Sequence, residues 1–177
     1  MTFAQRSRGE SHQKTSEWLK EDVRPMLPYW ANVHRIKETG LARTTVVWRQ
    51  GMHFCTSTQA GQLMCDESSE IGAAYPSSPE LLMASLGSCI GSVLVYFAER
   101  HKIDLEGMSI ELDWKIKESP RRIGEIDVAV HVPHHLSKDQ ETVLRRVSEE
   151  CLIHNTLHMP PQINMNLSGT KEPARGS

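Results

Sequence analysis

The chain has 177 residues, a formal net charge of -2, 38% hydrophobic and 24% charged residues, which suits one domain with its own core. That balance offers no basic surface for nucleic acid or an anionic membrane. No apolar run approaches a bilayer-spanning length and the N-terminus lacks the apolar segment of a secretory signal, so a cytoplasmic protein without nucleic-acid or membrane partners is expected.

The four cysteines, Cys55, Cys65, Cys89 and Cys151, are too few and too scattered for a disulfide scaffold and include no Cys-x-x-Cys pair, which points to reactive rather than structural thiols. Residues 1 to 14 are polar and aperiodic and are expected to be unstructured. Glu17 to Val23 reads as a short helix ended by Arg24-Pro25. Asn32 to Glu38, Arg43 to Arg49, Met52 to Ser57 and Gln62 to Cys65 read as strands, with turns at Gly40 and Gln50-Gly51, forming an antiparallel meander. Residues 66 to 76, DESSEIGAAYP, carry loop chemistry and lead into the stretch that organises the chain, SSPELLMASLGSCIGSVLVYFAERHK, from Ser77 to Lys102. Serines able to cap, Pro79 in the first turn and Glu80 where the helix dipole favours an anion mark a helix start. Leu82, Leu86, Cys89, Val93 and Phe97 then recur at helical spacing, so Cys89 falls on a buried face. The interleaved Ala84, Ser85, Gly87, Ser88, Gly91 and Ser92 cost helix propensity and imply a close-packed neighbour.

Met108 to Lys117 and Arg122 to Val132 alternate on either side of Ser119-Pro120 and read as a hairpin. Ser137 with Gln140 forms a capping box for a second helix whose apolar stripe is Leu144, Val147 and Cys151. Leu152 to His158 leaves that helix, Pro160-Pro161 forces an extended turn, Ile163 to Leu167 reads as a closing strand, and the tail beyond Gly169 as loose. The sum is an α+β domain with helices packed on sheet. His154 and His158 stand four apart after Cys151, but HNTLH lacks the glutamate of a zincin motif and His158 is expected off the helix, so no metal site is assigned. The scattered methionines read as core filling.

SPELLMASLGSCIGSVL, followed by CLIHNTL and a closing strand, resembles the osmotically induced protein C and organic hydroperoxide resistance superfamily (OsmC/Ohr), over roughly residues 40 to 168. The resemblance implies a long central helix and a second helix packed on curved antiparallel sheets, in an intertwined homodimer. Residues 1 to 39 are then an N-terminal extension and 169 to 177 a tail. It also implies a thiol peroxidase acting on organic hydroperoxides in the oxidative stress response, with Cys89 peroxidatic, Cys151 resolving and an external dithiol, of lipoyl type by resemblance, as reductant. Thiolate attack on the O–O bond gives a sulfenic acid, which the second thiol condenses to a disulfide, so no metal or cofactor is required.

The family's thiolate-supporting arginine comes from the early strands, where Arg43 and Arg49 both qualify and Arg49, beside the turn, is preferred; Glu80 either stands in for the family's glutamate or only caps the helix. Two departures mark a less-characterised branch. That glutamate would fall at Pro79, one position before Glu80, and Leu152 replaces the proline that usually follows the second cysteine, which allows the helix to continue and aim its thiol differently. The alternative is a non-catalytic dimer of the same fold acting as a redox sensor or small-ligand-binding protein.

Overall fold

The structure is a computed structural model that describes residues 43–68 and 73–169. The helix read at Glu17 to Val23 and the strand at Asn32 to Glu38 lie outside the described residues.

Strands β1 (Thr45–Gln50), β2 (His53–Ser57) and β3 (Gln62–Asp66) form an antiparallel sheet in that order. The meander read from the sequence is thus present, and Gly51 takes a left-handed φ of 52° in the β1–β2 turn, which a glycine adopts without Cβ strain. Helix α1 (Ser78–His101) follows, then β4 (Ser109–Glu118) and β5 (Arg121–His131), paired as the expected hairpin around Ser119-Pro120. Helix α2 (Lys138–Glu149) and the short helix α3 (Leu152–His158) complete the order.

Helix α1 starts where its sequence demands. The Glu80 carboxylate accepts from the backbone N–H and the hydroxyl of Ser77, 2.7 Å each, which fixes the first turn. Lys102 ends it in the left-handed region at φ 55°, its N–H bonded to the Ala98 carbonyl. Along the helix Met83, Leu86, Cys89, Ile90, Val93, Leu94, Phe97 and Ala98 are buried, whereas Leu82 is only half-buried, so the inward stripe is rotated and wider than the spacing suggested. All of these buried residues but Met83 join Ile103, Val143, Leu144, Val147 and Cys151 in one core, with α1 packed on α2, α3 and β4. The small residues have the expected neighbour at two places: a Cβ on Gly87 would lie 2.9 Å from Leu112 Cδ1, and one on Gly91 3.4 Å from Ile110 Cδ1, so β4 crosses close over the helix there.

Several expectations are corrected. By length and composition α1 could cross a membrane, its best 18-residue window having a mean hydropathy of 1.9. Scattered Ser and Gly hid this from a search for unbroken apolar runs, and half of that window is buried inside the fold, as a core helix requires. Cys151 is not on the α2 stripe: α2 stops at Glu149, and Cys151 is the extended N-cap of α3, which keeps both His154 and His158 on one helix. Ile163 to Leu167 forms no strand; among the described residues nothing pairs with it, and Ile163, Met165 and Leu167 are almost fully exposed. Met52, Met159 and Met165 are likewise outside the core of this chain.

The other apolar surface lies on the sheets. Every residue of β1 is exposed, Trp48 by 64%, and Val128 and Val130 of β5 are partly open. Among the described elements, the β1–β3 sheet has no contact with α1 as extensive as those that α1 makes with α2, α3 and β4.

Candidate functional site

Cys89 and Cys151 meet where α1 passes the break between α2 and α3. Cys89 sits at the middle of α1, 7% exposed, and Cys151 is fully buried. Helix α2 approaches this point because its capping box is in place, Gln140 N–H donating to Ser137 Oγ at 3.2 Å and Ser137 N–H to Gln140 Oε1 at 2.9 Å. Val143 and Val147 then anchor it on the core. The chain turns at Glu150, and Cys151 adopts extended dihedrals (φ -63°, ψ 132°) that open a new helix. Its sulfur serves as the cap, accepting the His154 N–H at 3.4 Å, while the Ile153 N–H donates to Cys89 Sγ at 3.5 Å. The first turn of α3 thus holds both sulfurs.

All four cysteines are free thiols. The thiol of Cys151 donates to Cys89, and this contact is the largest influence on either group. It brings Cys89 down from 9.0 to about 6 against the opposing effect of burial, with help from the Ile153 and Leu152 amides. Cys151 is pushed up by the same bond and by burial. The contact therefore favours loss of the proton from one sulfur and its retention on the neighbour. Leu152 occupies the first position of α3, where a proline would also fit, so the departure at this position has not let α2 run on.

The remaining site candidates are placed elsewhere. Arg43 and Arg49 are exposed, Arg49 on β1, and among the described residues no arginine acts on the Cys89 thiol. Glu80 is engaged with Ser77, which holds its carboxylate below the usual range. Cys55 and Cys65 are buried away from the pair, on β2 and β3. His154 and His158 stack with ring centroids 6.1 Å apart, and among the described residues no three His, Cys, Asp or Glu side chains converge in a way that could hold a metal.

A second polar cluster was not anticipated. Glu67 accepts from the Ser78 N–H at 2.7 Å, from the Ser78 hydroxyl and from the Cys65 thiol, fastening the end of β3 to the start of α1. Next to it Asp66, 4% exposed, takes the Ser68 N–H at 2.9 Å and stands 3.2 Å from His53 Nε2. The acidic loop preceding a helix start was the available signal, since carboxylates favour that end of a helix. Nothing in the sequence named their partners. Nor did it show the amides of Ile153 and His154 as sulfur ligands, since backbone groups carry no sequence signature.

Fold and site together define a class: an α+β protein with a buried dithiol at a helix junction, one sulfur activated and the other protonated. The chain belongs to the OsmC-like protein family, whose sequence model matches residues 71–166. Solved structures share the fold. An OsmC-like protein from Mycoplasma pneumoniae is 17% identical, with a TM-score of 0.59, over 67% of this chain and 87% of that one. The organic hydroperoxide resistance protein OhrB of Bacillus subtilis is 17% identical, with a TM-score of 0.52, over 68% and 92%. An organic hydroperoxide resistance protein OsmC from Legionella pneumophila is 20% identical, with a TM-score of 0.52, over 68% and 91%. No curated protein matches the chain.

Proposed function

We propose that the protein is a thiol-dependent peroxidase that reduces organic hydroperoxides through Cys89 and Cys151. The observation that carries this reading is the contact between the two buried thiols, which lowers Cys89 and raises Cys151. The names of the Bacillus and Legionella relatives, organic hydroperoxide resistance proteins, support a peroxide-related redox role. In the reaction the Cys89 thiolate attacks the outer peroxide oxygen; the S–O bond forms as the O–O bond breaks, and the alkoxide leaves as the alcohol after taking a proton. The Cys151 thiol then closes on the sulfenic acid, forming the disulfide and releasing water. An external dithiol restores both thiols by exchange. The apolar residues around Cys89, among them Leu86, Ile90 and Val93, favour organic over hydrogen peroxide.

The reading includes a cytoplasmic homodimer of the domain at residues 40 to 168. The open apolar faces of β1 and β5 and the alternating Ile163, Met165 and Leu167 are surfaces of the kind a second copy covers. In this reading Arg49 is the guanidinium that supports the thiolate, and Glu80 acts through the start of α1. Substituting Cys89→Ser tests the whole: hydroperoxide consumption with a dithiol must cease, and turnover retained in that variant would overturn it. The depth of Cys89 and the absence of an acting arginine among the described residues favour one other reading, a non-catalytic redox sensor or small-ligand-binding dimer. It predicts disulfide formation with hydroperoxide but no sustained turnover with any dithiol.

A further inference from the structure

Burial of the dithiol poses a problem of access. Cys151 is fully buried and Cys89 nearly so, yet a dithiol reductant has to place its own sulfur against one of these two. Thiol–disulfide exchange depends on that access as much as on pKa. The element lying over the sulfurs is the short helix α3, which packs on the core through a half-buried Ile153. It has seven residues and none of them is buried; its N-terminal supports are the two amide-to-sulfur bonds, Ile153 N–H to Cys89 and His154 N–H to Cys151. A helix this short does not persist without tertiary support.

We propose that α3 is a redox-released latch over the dithiol: closing the Cys89–Cys151 disulfide withdraws both sulfurs from the amides of Ile153 and His154, unseats the helix and opens the disulfide to the reductant. The inference rests on the two-cysteine reading above. Its physical cause is a change of acceptor. A thiolate and a thiol with free lone pairs hold the two amides in the reduced state. In the disulfide the sulfurs are drawn to about 2.05 Å from one another, far inside their hydrogen-bond separation, and the thiolate charge is gone. Two electrons and two protons leave the thiols, taken up by the hydroperoxide as alcohol and water. Reduction restores the thiolate and reseats the helix, so access is open only while there is a disulfide to reduce.

The test is hydrogen–deuterium exchange on the full chain, reduced and after oxidation with diamide, which accepts the two electrons and two protons as it becomes the hydrazine. Peptide mass is used to establish the disulfide. In the oxidised protein the amides of residues 155 to 159 are expected to exchange roughly tenfold faster or more, the effect of losing one capping bond or two. Those of α2 from Leu144 to Ser148 should hold their protection. Cys151→Ser, which keeps a strong capping residue but cannot form the bond, must keep α3 protected under diamide. A confirmed disulfide with unchanged α3 exchange overturns the latch and leaves the peroxidase reading standing; failure to form the disulfide with both diamide and cumene hydroperoxide overturns both. Loss of protection in Cys151→Ser under diamide also overturns the latch, because release would then not require the disulfide.

Discussion

Removing the Cys151 thiol separates the contribution of the pair from that of the surrounding chain. In Cys151→Ala the strongest influence lowering Cys89 disappears, burial is left to act upward, and only the amides of Ile153 and Leu152 still pull down. The thiol therefore returns toward its ordinary 9.0 from about 6. At about pH 7 the thiolate fraction then falls from roughly nine tenths to roughly one hundredth, since each unit is a tenfold change. Reactivity falls less than population. A more basic thiolate is a better nucleophile, and with a Brønsted slope of about 0.4 to 0.5 three units return roughly 15- to 30-fold, leaving a net loss of only about three- to sixfold. The midpoint is consequently the quantity to measure, by ultraviolet thiolate absorbance against pH, with Cys89→Ser supplying the background from Cys55 and Cys65. An unchanged midpoint near 6 in Cys151→Ala would refute the assignment of Cys151 as the donor, and a wild-type midpoint near 9 would refute activation of Cys89 altogether.

Leu152→Pro removes one amide that supports the thiolate but places proline at a favourable first helical position; the Cys89 midpoint should rise while α3 exchanges more slowly, both read by the same two methods. Asp66 is held below its ordinary 3.8 by its bonds to Ser68 and then by His53. A depressed carboxylate contributes stability that is fully present above the ordinary value and is lost as pH falls through the lowered one. Asp66→Asn should therefore lower the urea midpoint at neutral pH, and the gap to wild type should close in strong acid. Glu80→Ala should destabilise the start of α1 and Glu80→Gln restore most of the loss, since the amide oxygen can still accept from Ser77; equal loss in both variants would contradict the capping role. Phe97, 1% exposed at the centre of the core, should cost about 3–5 kcal/mol when cut to alanine, measured by chemical denaturation.

Much of the architecture is local physics and was readable. The hairpin turn at Gly51, the Glu80 cap, the box between Ser137 and Gln140 and the alternation in β4 and β5 each depend on residues within a few positions of one another. A sequence displays such relations directly. Cys89 as a buried helix residue followed from the same reasoning, and the pairing of two cysteine segments was suggested by resemblance. What lay out of reach was set by contacts between distant parts of the chain. The outer limit of α2 and the birth of α3 at Cys151 depend on which amides find sulfur acceptors, a matter of packing against α1 that spacing does not encode. Ile163 to Leu167 alternates as a strand should, yet a strand needs an edge to pair with, and within the described chain none is offered. The sequence by itself determined the helix starts, the strand periodicity and the two thiols. Only the tertiary structure decided that those thiols touch, that one is driven down and the other up, and that a seven-residue helix holds both sulfurs, because the energy of a buried charge depends on neighbours brought together by folding.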